Sequence, residues 1–394
     1  MSRKGALKGG FVVSTATALL LALGWAAFDR REPSNREAWR ALSMSPLSAR
    51  EGAVGVWTGD EVLIVGGSDA RPCPPNAQCP LPETPPLADG AAVNTRTGAW
   101  RPIRPAPVPF EWAESAFADR TAYFWIPGTP GRPQATRAFL AYHVDEDVWE
   151  RLPSQNLASE YRIVQAGYHI AAYSYSDEGG RPRPDLLFDT RTKAWQELPA
   201  DPFSRSSGRV MAWSGRELIL FDHEPVPNPG SVRPALPRLA ALDLTTRTWR
   251  SIGHAGILQA GPWVPLGDGR LVNPTLGGSD GGATNNWGRT YPYGGVLDPA
   301  SGEVSALPEP PSENEFAAGV LTQAGGQYFG VEGWIFDAGG RGWIRVPPLP
   351  EEGLLSGRTV VAAGDDLFVF GGARWAASPN GELTREARIW SPRP

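Results

Sequence analysis

Two cysteines and a handful of arginines are the residues best suited to chemistry. Cys73 and Cys79 lie six apart in the loop RPCPPNAQCPLPETPP. Two thiols alone make a weak metal site. In an oxidising compartment the same spacing closes a short, proline-stiffened loop, so the pair reads as a local disulfide. Such a loop contributes roughly 2 kcal/mol by constraining the unfolded chain. The four histidines, His143, His169, His223 and His254, are scattered and form no zinc motif. No serine nucleophile elbow or phosphate loop occurs. In GGSDGGATNNWG (277–288) only Asp280 offers a carboxylate, too few for calcium. Neither a metal nor a cofactor is expected.

The charged candidates are Glu114, Arg209 and Arg358. Together with Tyr161 they open apolar strand–turn–strand segments in one register. Arg50 stands three residues earlier in its own segment. Arginine and glutamate converging on one opening can bind a carboxylate or a sugar acid through charge-assisted hydrogen bonds. The same set can also serve as an ion-pair network. Arg50, Tyr161, Trp287 and Arg289 are the ligand-binding candidates. The last two lie in long loops that also carry Arg132, Arg137, Arg233 and Arg238. Function on repeat scaffolds concentrates in such loops.

A repeat must position these residues. A short apolar strand, a turn rich in Asp, Thr and Gly, a Trp and a further strand recur as one phrase. It reads AAVNTRTGAWRPI at Trp100, AYHVDEDVWERLP at Trp149, LLFDTRTKAWQELP at Trp195 and ALDLTTRTWRSI at Trp249. GVLDPASGEVSALP has Val304 in the Trp place, and WIFDAGGRGWIRVPPLP has Trp343. The spacings are 49, 46, 54, 55 and 39 residues, a period that indicates a propeller-type array. Upstream of each phrase lies a hairpin pattern, clearest in AVGVWTGDEVLIVGG (53–67) and TVVAAGDDLFVFGG (359–372). Thr58-Gly59 and Ser214-Gly215 read as two-residue turns. Each repeat is thus a four-stranded antiparallel blade that needs neighbours on both faces.

The last repeat stops after the third strand, EARIWSP. A lone fourth-strand phrase, NREAWRALSMSPL with Trp39, precedes the first blade. The two fragments complete one blade. The expected fold is all-β: a seven-bladed propeller over residues 36–394, closed by its N-terminal strand, which removes a free sheet edge. The long insertions fall between second and third strands, at 67–88, 127–137, 222–238 and 276–291.

The Gly-Gly pairs at 66–67 and 371–372, each following a strand with a Trp downstream, resemble the kelch repeat, as in the propeller of galactose oxidase. The resemblance covers most of the chain. It is also similar to exported bacterial kelch-like proteins. Phe221-Asp222 replaces the glycine pair in the fourth repeat. Copper chemistry of the galactose oxidase kind requires a Tyr–Cys crosslink and two His ligands, and this sequence lacks a His pair. Kelch-type sialic-acid epimerases use Glu and Arg in comparable places, which is the enzymatic version of the charged set.

Arg3, Lys4 and Lys8 precede an uncharged run from Gly9 to Phe28, closed by Asp29, Arg30 and Arg31. About 20 apolar residues span a bilayer as a helix, and the flanking basic residues keep the N-terminus cytoplasmic. The expected order is a stub (1–8), a signal-anchor helix (9–28), a linker (29–35) and an exported propeller. Cleavage of the segment, with secretion, is the alternative. The net charge of −5 argues against a nucleic-acid partner. Sixteen Trp residues argue against disorder. The expected role is a membrane-anchored binding or scaffold domain for an extracytoplasmic protein or glycan. The rival is an epimerase-like enzyme using Glu114 and Arg209 or Arg358.

Overall fold

The computed structural model describes residues 38–392, apart from 76, 129–136, 175–182, 204–206, 224–235, 258–262, 274–293, 309–321, 325–327, 332–333, 338–341, 351–353 and 376–379. Every named element is a β-strand. The expected membrane segment and its flanks lie outside the described residues. Among the described residues no helix is long and apolar enough to cross a membrane.

Among the described residues the strands form seven four-stranded antiparallel sheets and one three-stranded sheet. Sheet 1 comprises Val54–Trp57, Glu61–Val65, Gly90–Asn94 and Trp100–Ile103. Sheet 2 runs Glu114–Ala118, Thr121–Ile126, Ala138–His143 and Val148–Leu152. Sheet 3 is Tyr161–Ala166, His169–Ser174, Leu186–Asp189 and Ala194–Glu197. Sheet 4 is Ser207–Trp213, Leu218–His223, Pro237–Asp243 and Thr248–His254. Sheet 5 is Val264–Pro265, Leu271–Asn273, Gly295–Asp298 and Glu303–Ala306. Sheet 6 is Thr322–Ala324, Tyr328–Val331, Trp334–Asp337 and Gly342–Arg345. Sheet 7 takes Thr359–Ala363, Asp366–Phe370 and Ala387–Trp390 from one end of the chain and Arg40–Ala41 from the other. Arg40 pairs with Ile389 and Ala41 with Arg388.

Second and third strands are apolar on both faces: Thr121–Ile126 is buried throughout. Alternation is clearest in first strands such as Val54–Trp57 and Tyr161–Ala166. That pattern requires a neighbour on each side of a sheet. Seven apolar clusters supply it, each joining consecutive sheets. Phe368 and Phe370 of sheet 7 pack with Val62 and Ile64 of sheet 1. Leu63 meets Phe124 and Leu140 between sheets 1 and 2. Further clusters join sheets 2 and 3, 3 and 4, and 4 and 5. Val272 and Phe336 link sheets 5 and 6, and Ile335 joins Leu367 and Trp390 between 6 and 7. Each fully buried Leu, Ile, Val or Phe contributes roughly 1.5–3 kcal/mol. The arrangement is consistent with a propeller-like fold.

The recurring Trp has a physical role beyond filling space. Its indole N–H donates to a carbonyl just past the fourth strand of the preceding sheet. The bonds are Trp100 to Ser43 (2.9 Å), Trp149 to Arg104 (2.7 Å) and Trp195 to Pro153 (2.7 Å). Trp249 bonds Pro199 (2.8 Å), Trp343 bonds Pro308 (2.8 Å) and Trp39 bonds Pro347 (2.7 Å). Sheet 5 has Val304 instead. There the contact reverses: Arg250 of sheet 4 donates to the carbonyl of Pro299 (2.7 Å).

Two local expectations change. The turns close one residue later than expected, around Gly59-Asp60 and Gly215-Arg216: Thr58 N–H donates to Glu61 O and Ser214 N–H to Glu217 O (both 3.0 Å), and each hydroxyl bonds the same backbone. The segment between second and third strands of sheet 7 is also an insertion. Ala373–Trp375 and Glu382–Leu383 pair there with Leu354–Ser356 as the three-stranded sheet.

Candidate functional site

The connections between sheets and the loops between second and third strands meet beside the starts of the first strands. The backbone links them. Gly52 N–H donates to Gly357 O (2.8 Å), Trp112 N–H to Gly52 O (3.0 Å) and Gly67 N–H to Phe110 O (2.8 Å). The glycine pair at 66–67 adopts φ of 70° and 94°. A Cβ on Gly66 would lie 2.2 Å from Phe110 O, so only glycine fits between the two connections.

Arg50 enters this junction and is 1% exposed. Its Nε donates to Ser48 O (3.1 Å). Nη1 donates to Gly66 O (3.0 Å) and Asp89 Oδ1 (2.7 Å). Nη2 donates to Ser48 Oγ (2.8 Å) and Asp89 Oδ2 (3.0 Å). All five N–H groups are used, so Arg50 clamps the entry into sheet 1 and has no donor left for a ligand.

Arg209 repeats the arrangement between sheets 3 and 4. It is 1% exposed and forks onto Asp185 at 2.8 and 2.6 Å, with Asp201 at 2.9 Å. Burial alone would lower its proton affinity, but Asp185, Asp201 and Asp222 together hold it above the ordinary arginine value. Burial pushes the Asp185 carboxyl up against the opposing pull of Arg209. Asp222, which the hairpin register puts in the place of the first glycine of the pair, is fully buried. It takes a two-pronged bond from Arg238 at 3.0 and 2.9 Å. The Arg238 guanidinium also lies 4.4 Å over the Phe203 ring. Burial pushes Asp222 up to about 6, although Arg238 opposes the shift.

The remaining candidates fall into separate contacts. Glu114 pairs with Arg162 on the neighbouring first strand. Tyr161 donates its hydroxyl to Pro184 O at 2.6 Å, and burial, then the charge of Asp185, pushes it up to about 12. Arg358 borders a shallow hollow with Leu349, Leu355, Thr384, Glu386 and Arg388. Trp287 and Arg289 lie outside the described residues, as do Arg132 and Arg233. Cys73 and Cys79 form the expected disulfide. Their loop abuts the sheet 7 insertion, where Arg71 bonds Asn380. Among the described residues no group of three or more His, Cys, Asp or Glu could hold a metal.

Sequence reasoning missed a group beside this set: Glu51, Glu111 and Trp112. Trp112 is 60% exposed and has φ of 52°, an unusual backbone state for a bulky residue. Glu51 and Glu111 are half-buried. Burial raises both carboxyls, and the charge of Glu111 raises Glu51 further. The one available signal was a Trp falling outside the repeating phrase. No family model matches the chain, and no curated protein matches it.

Proposed function

We propose that residues 36–394 close into a seven-bladed kelch-type propeller, carried outside the cytoplasm by a transmembrane helix over residues 9–28. We further propose that it is a binding or scaffold domain for an extracytoplasmic protein or glycan. The seven clusters running in cyclic order support the blade count, with sheet 7 against both sheet 6 and sheet 1. The pairing of Arg40–Ala41 with Ala387–Trp390 supports closure by the N-terminal strand. A disulfide suits an exported domain.

The observation that carries the functional reading is the fate of the arginines. Arg50 and Arg209 are buried against Asp89 and Asp185, so they join sheets, and recognition falls to the loops and connections beside them. An epimerase-like enzyme would instead need Glu114 and Arg209 or Arg358 turned towards a substrate. The test uses the full chain in native membranes. Protease added outside the cytoplasm should digest the propeller loops, and crosslinking should capture a protein or glycan. Turnover of a sugar acid that Glu114→Gln abolishes would replace this reading with the enzymatic one.

A further inference from the structure

We propose that Asn380 is a self-modification site. Gly381 and Arg71 convert its side-chain amide to a carboxylate, which turns a neutral contact between sheets 1 and 7 into an ion pair. Asn380-Gly381 is the one Asn-Gly step in the sequence. Gly381 stands just ahead of Glu382–Leu383, an outer strand of the three-stranded sheet. Packing requires a glycine there. A Cβ would lie 2.8 Å from the Trp375 ring and 3.0 Å from Pro72, and φ is 63°. The residue that the packing demands is also the one whose backbone nitrogen has no side chain to shield it. Asn380 is exposed. Its Oδ1 accepts a hydrogen bond from Nη2 of Arg71, which lies on the long loop of sheet 1. Arg50, Arg101, Arg209 and Arg238 fork onto carboxylates, whereas this guanidinium donates to a neutral amide.

These three residues supply what deamidation needs. The Gly381 backbone nitrogen attacks Asn380 Cγ, and the new N–Cγ bond closes a five-membered imide. The Cγ–Nδ2 bond breaks, and ammonia leaves with the proton that the backbone nitrogen gives up. Water then opens the imide. Its hydroxyl goes to Cγ or to the backbone carbonyl carbon, its proton returns to the backbone nitrogen, and the product is aspartate or isoaspartate. Neither an oxidant nor a reductant enters. Negative charge develops on Oδ1 as the nitrogen attacks. Arg71 already donates to that atom, so its guanidinium stabilises the transition state more than the resting amide. Afterwards the same guanidinium faces a carboxylate, and a charge-assisted hydrogen bond is roughly twice as strong as a neutral one. Two residues on, Arg374 already faces Glu382 at 3.6 Å; the reaction gives Arg71 a carboxylate of its own. The contact joins the disulfide-closed loop of sheet 1 to the insertion of sheet 7, so the molecule tightens this brace as it ages.

The experiment ages the detergent-solubilised full chain in mildly alkaline buffer and follows the tryptic peptide 375–385 by mass spectrometry. A synthetic peptide of the same residues, incubated beside it, sets the time needed for the uncatalysed reaction. The expected result is conversion of Asn380 in the folded chain within that time, while Asn156, followed by the bulkier Leu157, stays intact. Arg71→Gln should slow the conversion at least threefold. Arg71 is exposed, so this variant should keep the wild-type melting temperature, and its slower reaction cannot be assigned to unfolding. Arg71→Lys keeps a charged donor and should retain most of the rate. Asn380→Asp carries the product charge from the start. Its insertion should survive brief proteolysis at least twice as long as that of freshly made wild type, and the gain should vanish in added salt and in combination with Arg71→Gln. An intact Asn380 in the folded chain once the peptide has converted, or equal rates in wild type and Arg71→Gln, would overturn the proposal. So would an Asn380→Asp chain digested as fast as wild type.

Discussion

Trp39 donates its indole N–H to the backbone carbonyl of Pro347 at 2.7 Å, across 308 residues of chain. Its ring lies 6.2 Å from that of Trp390. The bond does for the seam between sheets 6 and 7 what the other repeat Trps do within the continuous chain.

Replacing Trp39 with Phe should keep the apolar contact and lose the bond, at about 1 kcal/mol. Trp39→Ala also opens a cavity and should lose about 3–5 kcal/mol. Urea unfolding of the two variants checks the order. Equal losses would mean that the hydrogen bond contributes nothing at the seam.

Arg209→Met should destabilise by about 3–5 kcal/mol, because Asp185 and Asp201 keep their burial and lose their counter-charge. The triple change that also makes Asp185→Asn and Asp201→Asn should recover part of that loss. A triple variant no more stable than Arg209→Met would assign the effect to packing.

Asp222 gives a pH dependence of known sign. Its native value near 6 lies above the ordinary 3.8, so the folded state binds the proton more tightly than the unfolded state. The associated stability is complete below about pH 4 and is lost as pH rises through 6, by roughly 3 kcal/mol in all. Asp222→Asn should remove this contribution. Melting curves of both proteins from pH 4 to 7.5 isolate it from the other carboxylates. Parallel curves would exclude Asp222 as the source.

Cys73→Ser with Cys79→Ser should lower stability by about 2 kcal/mol and speed proteolysis near Arg71 and Asn380, where the loop meets the sheet 7 insertion. Peptide mapping after brief digestion reads the second effect. An unchanged digestion pattern would mean that the loop holds its place without the bond.

The repeat was legible because Trp100, Trp149, Trp195, Trp249 and Trp343 answer one local requirement, an aromatic ring at the start of a fourth strand. The lone Trp39 phrase likewise revealed the strand borrowed for sheet 7. The partners of the arginines were not legible. Asp89 and Asp185 each sit one residue ahead of a third strand, and only the packing of sheets brings a guanidinium to them. Register alignment therefore put Arg209 in an open mouth, whereas burial against two carboxylates decides its role. Trp112 went unnoticed for a related reason. Its exposure and its contact with Gly52 arise where two connections meet, and no periodic pattern records that meeting.

The sharing of sheet 7 between distant segments also has a consequence in time. Arg40 is synthesised about 350 residues before its partner Ile389. At about 5–20 residues per second, the early strand waits roughly 20–70 s for its place. During that interval six sheets can assemble before sheet 7 does, with apolar residues such as Val62 and Ile64 uncovered on sheet 1. The vulnerable species in biogenesis is thus an almost complete molecule, and a holding chaperone would recognise that uncovered face.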